Sequence, residues 1–65
     1  MYGKRIREIR KNNGLTQEEF SKKTGIPRVT ICKYESEFLD LSTKAITSIC
    51  KAFNVSADYL LGLED

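Results

Sequence analysis

No histidine and no tryptophan occur in this 65-residue chain, and it has one proline and two cysteines. The missing histidine removes the commonest general base and metal ligand near neutral pH. Cys32 and Cys50 are too few for a disulfide scaffold and, with no His, form no zinc set, so both are expected as reduced thiols. Long apolar runs are absent too. The longest, Tyr59-Leu60-Leu61, falls far short of the roughly 20 residues that cross a bilayer. Behind the basic start Met1-Tyr2-Gly3-Lys4-Arg5 there is no apolar segment of the kind a secretory signal needs. These absences predict a cytoplasmic protein that is not an enzyme, with no cofactor, no metal site, no membrane association and no evident small-molecule ligand.

What is present describes one small soluble domain over residues 1–65. The chain is 40% hydrophobic and 31% charged, near the lower size limit for folding without staples. Its net charge of +2 conceals a dipolar layout. Residues 1–34 hold nine cationic against three anionic side chains, a net of +6, whereas residues 35–65 hold two against six, a net of −4. Such a layout steers one end of a domain toward a polyanion and repels the other. Taken alone, it is equally a solvated surface with uneven ion pairing.

The punctuation of the chain predicts five helices and no strand. Tyr2, Ile6 and Ile9 form one stripe of a helix over about 3–12, closed by Asn12-Asn13-Gly14. Thr16-Gln17-Glu18-Glu19 fits a capping box opening a helix over 17–24. Leu15 and Phe20 stand as its hydrophobic staple and Gly25 as its terminator. Pro27 presets a helical φ at the start of a helix over 27–35, with Ile31 and Tyr34 facing inward. Two short helices separated by a Gly-containing turn have helix-turn-helix spacing. Ser42 caps a fourth helix with Ala45, Ile46, Ile49, Cys50 and Phe53 on its apolar face, stopped by Asn54. Ser56 caps a fifth through Leu61, with Val55 and Leu60 as staple and Gly62 as terminator.

With Ile31 and Tyr34 turned to the core, Arg28, Val29, Cys32 and Lys33 point outward on one side of the third helix. A helix so furnished fits the DNA major groove, about 12 Å wide, where Arg or Lys donates to guanine O6 and N7 and Val29 meets a thymine methyl. The first amides of the second helix, beside Thr16 and Gln17, are oriented donors for a phosphate oxygen. The competing view of Arg28 and Lys33 is that of ordinary solvated helix residues, and of Cys32 a filler or a redox-sensing thiol.

The run Arg5-Ile6-Arg7-Glu8-Ile9-Arg10, the block Gly14-Leu15-Thr16-Gln17-Glu18-Glu19-Phe20, then Gly25-Ile26, Ile31, Tyr34-Glu35 and the ending Ala52-Phe53-Asn54-Val55-Ser56-Ala57-Asp58-Tyr59-Leu60-Leu61-Gly62 follow in order over nearly the whole chain. This pattern resembles the Xre/Cro/cI helix-turn-helix family of phage-repressor-type regulators. The resemblance implies an all-α, five-helix, lambda-repressor-like domain whose second and third helices form the helix-turn-helix. It also implies sequence-specific binding of double-stranded operator DNA as a homodimer, with repression by occupancy. Carried over by position, Arg28, Val29 and Lys33 read bases with Cys32 beside them. Gln17 contacts phosphate and braces the recognition helix, and Thr16, Thr30 and Ser36 lie at the sugar-phosphate backbone. By charge alone, Lys4, Arg5 and Arg10 add diffuse attraction.

Three departures from the family pattern stand out. Pro27 replaces the usual Ser or Thr cap of the third helix. After Glu35 the family continues with Gly and a basic residue, but this chain reads Ser36-Glu37-Phe38-Leu39-Asp40. Thr24 and Thr47 sit where Leu is common, which is expected to weaken the core. The apolar pair in the loop suggests a partner surface, and Phe38, Leu39, Leu41, Leu60 and Leu63 are the expected dimer contacts. A protein-interaction module of antitoxin or antirepressor kind, binding through that loop, is the alternative.

Overall fold

A computed structural model describes residues 2–63. In chain order its helices are α1 (Gly3–Asn12), α2 (Gln17–Thr24), α3 (Arg28–Glu35), α4 (Thr43–Phe53) and α5 (Ala57–Leu60), with no strand among the described residues. None of these helices is long and apolar enough to cross a membrane.

The helix ends follow the local chemistry of the chain. At α2 the capping box closes in both directions: the Glu19 amide donates to Thr16 Oγ1 at 3.1 Å and the Thr16 amide donates to Glu19 Oε1 at 2.8 Å. Those hydrogen bonds hold the Glu19 carboxyl below its ordinary range, so it is ionised and the box intact at neutral pH. Ser42 and Ser56 cap α4 and α5 in the same manner, accepting from the amides of Ala45 and Tyr59. Gly25, Asn54 and Gly62 all adopt left-handed backbone after α2, α4 and α5.

Two boundaries differ from expectation by one residue. Pro27 is the N-cap of α3, not its first helical residue, because its ψ of 141° is still extended. Helix α3 therefore begins at Arg28 with no side-chain cap. Leu61 is the C-cap of α5 and so lies just outside the helix.

Each helix delivers one fully buried side chain to a common core: Ile6, Phe20, Ile31, Ile49 and Leu60. Ile9, Ile26, Tyr34 and Ala45 complete it, and Leu41, Ile46, Cys50, Phe53, Val55 and Tyr59 pack against it while partly exposed. The rings of Phe20 and Phe53 meet at 4.9 Å, tilted by 50°, which joins α2 to α4. Burial also raises the Cys50 thiol pKa, as suits a core-facing cysteine.

Neither threonine behaves as a substitute core Leu. Thr47 is exposed and its hydroxyl donates to the Thr43 carbonyl at 2.9 Å, so this position costs the core nothing. Thr24 is half-buried and fastens the helix-turn-helix turn: its hydroxyl donates to the Phe20 carbonyl at 2.8 Å and accepts from the Ile26 amide at 3.3 Å. Ser21 Oγ adds a short bond to the Ile26 carbonyl. These bonds satisfy the polar groups of a turn too short to form regular structure, and they fix the path from α2 into α3.

Two backbone positions constrain residue type in opposite ways. Gly3 is buried where α1 meets the last turn of α3. A Cβ there would overlap the Tyr34 carbonyl oxygen and lie 3.0 Å from the Glu35 Cα. Glu37, just beyond α3, holds φ at 64°, in the left-handed region that favours glycine. Gly3→Ala is therefore expected to destabilise the fold by about 1–3 kcal/mol through overpacking against backbone. Glu37→Gly is expected to be more stable than Glu37→Ala by about 0.5–1 kcal/mol, since both remove the side chain and glycine alone relieves the left-handed strain. Urea unfolding midpoints of the three variants check both signs.

Candidate nucleic-acid interface

Helix α3 is amphipathic. Ile31 and Tyr34 are buried against the core, while Arg28, Val29, Cys32 and Lys33 are all exposed, Val29 by 59%. Arg28 with Cys32, and Val29 with Lys33, stand four residues apart and so share the solvent side of the helix across one turn. No described carboxylate lies within ion-pair distance of Arg28 or Lys33. The outward face of α3 thus presents two uncompensated cations and an apolar group on a rigid rod. Thr30 is half-buried at its side, and Ser36, just past its end, is exposed with its hydroxyl donating to the Lys33 carbonyl at 3.2 Å.

The start of α2 holds the other polar residues. Thr16 is exposed, and because its oxygen accepts from Glu19, its hydroxyl proton stays available to a further acceptor. Gln17 is half-buried and turned toward α3: its Nε2 donates to Glu35 Oε1 at 3.3 Å. This is the brace between α2 and the third helix expected of Gln17, here made through a carboxylate.

That carboxylate belongs to a larger constellation. Arg10 Nε donates to Glu35 Oε2 at 2.8 Å and Nη2 to Oε1 at 3.1 Å, a bidentate pair. Its Nη1 donates to the Leu15 carbonyl at 2.9 Å. The two side chains are only 13% and 8% exposed. The hydrogen bonds to Glu35 raise the Arg10 pKa further above its already high ordinary value, with burial opposing. Three helices and the loop between α1 and α2 therefore converge on one guanidinium–carboxylate pair.

This corrects the expectation for Arg10. It lends no diffuse attraction to a polyanion, because its charge is neutralised and covered by Glu35. Arg5 is partly spoken for as well, 3.5 Å from Glu8 and 4.5 Å over the ring centroid of Tyr59. Lys4 remains exposed. Spacing alone hides the Arg10–Glu35 pair, since 25 residues separate the partners. The usable signal is that Arg10 follows Ile6 and Ile9 closely enough to lie at the edge of the buried stripe.

The expected dimer residues divide. Phe38 is 78% exposed, Leu63 73%, and Leu39 is exposed beside Phe38, while Leu41 packs partly against the core. Leu60 is fully buried among the five helices and offers no surface to a partner. Its spacing marked it as apolar without showing which way α5 turns it.

With this geometry in view, comparison with known proteins is decisive. A family model described as a helix-turn-helix domain matches residues 3–65. The chain is a member of the helix-turn-helix family, of the Xre type. Among curated proteins, this helix-turn-helix domain is 42% identical to Antitoxin PezA of Streptococcus pneumoniae serotype 4 over 62 residues, 95% of the chain and 39% of PezA. It is 36% identical over 63 residues to the HTH-type transcriptional regulator ImmR of Bacillus subtilis, covering 97% of the chain and 50% of ImmR. An uncharacterized HTH-type transcriptional regulator of Archaeoglobus fulgidus is 38% identical over 61 residues, covering 94% of the chain and 87% of that protein. The domain thus spans half or less of the length of PezA and ImmR. No solved structure matches it.

Removing either member of the Arg10–Glu35 pair strands a buried charge, which typically costs 3–5 kcal/mol. Arg10→Met and Glu35→Leu are each expected to cost about 3 kcal/mol. The double variant Arg10→Met, Glu35→Leu is expected to lose clearly less than the sum, with a coupling of about 2 kcal/mol. A double-mutant cycle by urea unfolding measures this, and additive losses would show the pair to be incidental.

Proposed function

We propose that this domain is the DNA-reading part of a transcriptional regulator. It binds double-stranded DNA with α3 in the major groove and represses by occupying a pseudo-palindromic operator as a homodimer. The observation that carries the reading is the outward face of α3, where Arg28 and Lys33 stand exposed with no ion-pair partner among the described residues. Arg28 and Lys33 donate to guanine O6 and N7, Val29 lies against apolar base edges, and Cys32 sits beside them. Thr16, Gln17, Thr30 and Ser36 meet the sugar-phosphate backbone at the flanks, which sets register without reading sequence. The regulators ImmR and that of A. fulgidus, whose matched segments cover most of this chain, support the reading. Two copies paired through Phe38, Leu39, Leu41 and Leu63 place their recognition helices about 34 Å apart, one turn of DNA.

A second reading is a protein-binding module that keeps the fold, favoured by the likeness to an antitoxin and by the exposed Phe38 and Leu39. The salt dependence of duplex binding separates the two, because neutralising Z phosphates gives a log–log slope of about −0.9Z. A flat response would favour the protein-binding module.

Selection from a random duplex pool, followed by titration of the winning sequence, tests the proposal. The expected motif has two related half-sites with centres about 10 base pairs apart. Arg28→Ala and Lys33→Ala are each expected to weaken binding by about 1–3 kcal/mol and relax base choice at one position per half-site, while Lys22→Ala weakens all duplexes alike or none. Unchanged sequence preference in Arg28→Ala would remove α3 as the reader.

A further inference from the structure

Val29 is the one exposed large hydrophobic side chain within a helix among the described residues; Phe38, Leu39 and Leu63 lie in loops or past α5. It stands in the first turn of α3 next to Arg28 and one turn before Lys33, on the face the two cations share. Nothing in the fold covers it. A branched alkyl group has no donor or acceptor, so it is blind to every hydrogen-bonding feature of a base edge. The one feature of the major groove it can recognise is a methyl group on C5 of a pyrimidine. Its χ1 is nearly fixed within a helix, so placing it against such a group costs little side-chain entropy.

We infer that Val29 makes this domain a reader of pyrimidine 5-methyl groups, so that 5-methylcytosine substitutes for thymine at one position of each half-site. This rests on the proposal that α3 enters the major groove. It goes further in assigning the domain a sensitivity to cytosine methylation. Thymine and 5-methylcytosine carry the same methyl group on the same ring carbon; they differ at position 4, where thymine offers an acceptor and cytosine a donor, and in the opposite base, adenine for one and guanine for the other. Val29 responds to neither. Arg28 and Lys33, being donors only, are occupied with guanines elsewhere in the half-site.

The test uses the 65-residue chain and the duplex it selects from a random pool. Each thymine in a half-site is replaced in turn by uracil opposite the same adenine, which removes only the methyl, and then by cytosine and by 5-methylcytosine, each opposite guanine. Hiding one methyl from water corresponds to about a fourfold change in affinity. One position is expected to lose about that factor with uracil, and there 5-methylcytosine is expected to bind about fourfold tighter than cytosine. Val29→Ala, an exposed substitution that leaves the core untouched, is expected to abolish both differences while keeping the guanine preference, with an unchanged melting temperature as the check on folding. A wild-type domain indifferent to uracil at every position yet still selecting its motif would overturn the methyl inference and leave base reading by α3 intact. Failure to enrich any motif would overturn both.

Discussion

The bidentate pair of Arg10 and Glu35 is the constraint on which the domain's geometry rests. A guanidinium and a carboxylate this well covered are costly to desolvate, and the cost is offset by their bidentate pairing and by a third Arg10 hydrogen bond to the Leu15 carbonyl. The same carboxylate receives Gln17 from α2. One polar cluster therefore sets the positions of α1, α2 and the end of α3 relative to each other. Gly3 lets the first turn of α1 close directly on the backbone at that end of α3. Apolar packing alone would hold the helices together with far less say over their relative angles.

What the cluster fixes at one end of α3, the turn fixes at the other. Ser21 and Thr24 fasten the chain at Ile26, Gly25 supplies the left-handed residue, and Pro27 stiffens the entry to α3. Helix α3 is thereby a short rod clamped at both ends. Its outward side chains need no contribution from the core to be presented, which leaves them free to vary in chemistry without disturbing the fold. The charge split along the chain acquires a structural sense here, since Arg10 is neutralised internally while Arg28 and Lys33 remain exposed. The formal count of cations overstates the field that α3 presents, and the position of the free ones decides it.

Much of the architecture was legible because its signals are local. Capping boxes, left-handed terminators and helical stripes each depend on residues within one or two turns, and Thr16–Glu19, Ser42, Ser56, Gly25 and Asn54 act in the structure as their spacing implied. The misplaced details depended on distance or direction. In the sequence Arg10 looks like a surface cation because its partner lies far along the chain, and Leu60 like an interface residue because a helix of four residues has too little pattern to fix its orientation. Thr47 stands in the sequence where a core Leu is common, yet α4 turns it to solvent. Gly3 carried no signal at all, since a glycine needed for close approach looks like any other until the opposing backbone is known. Of the candidate interface, the outward set on α3 followed from two buried neighbours, Ile31 and Tyr34, which is why its exposure was foreseeable.

Cys32 lies within the proposed reading surface and is exposed, whereas Cys50 packs against the core with its thiol pKa raised by burial. The two thiols are therefore an internal probe and an internal control. Alkylation rates measured at both cysteines, with and without a saturating selected duplex, address the orientation of α3 directly. The account predicts that DNA sharply slows modification of Cys32 and leaves that of Cys50 unchanged. Equal rates at Cys32 in the free and the saturated protein would place the duplex on another face and contradict it.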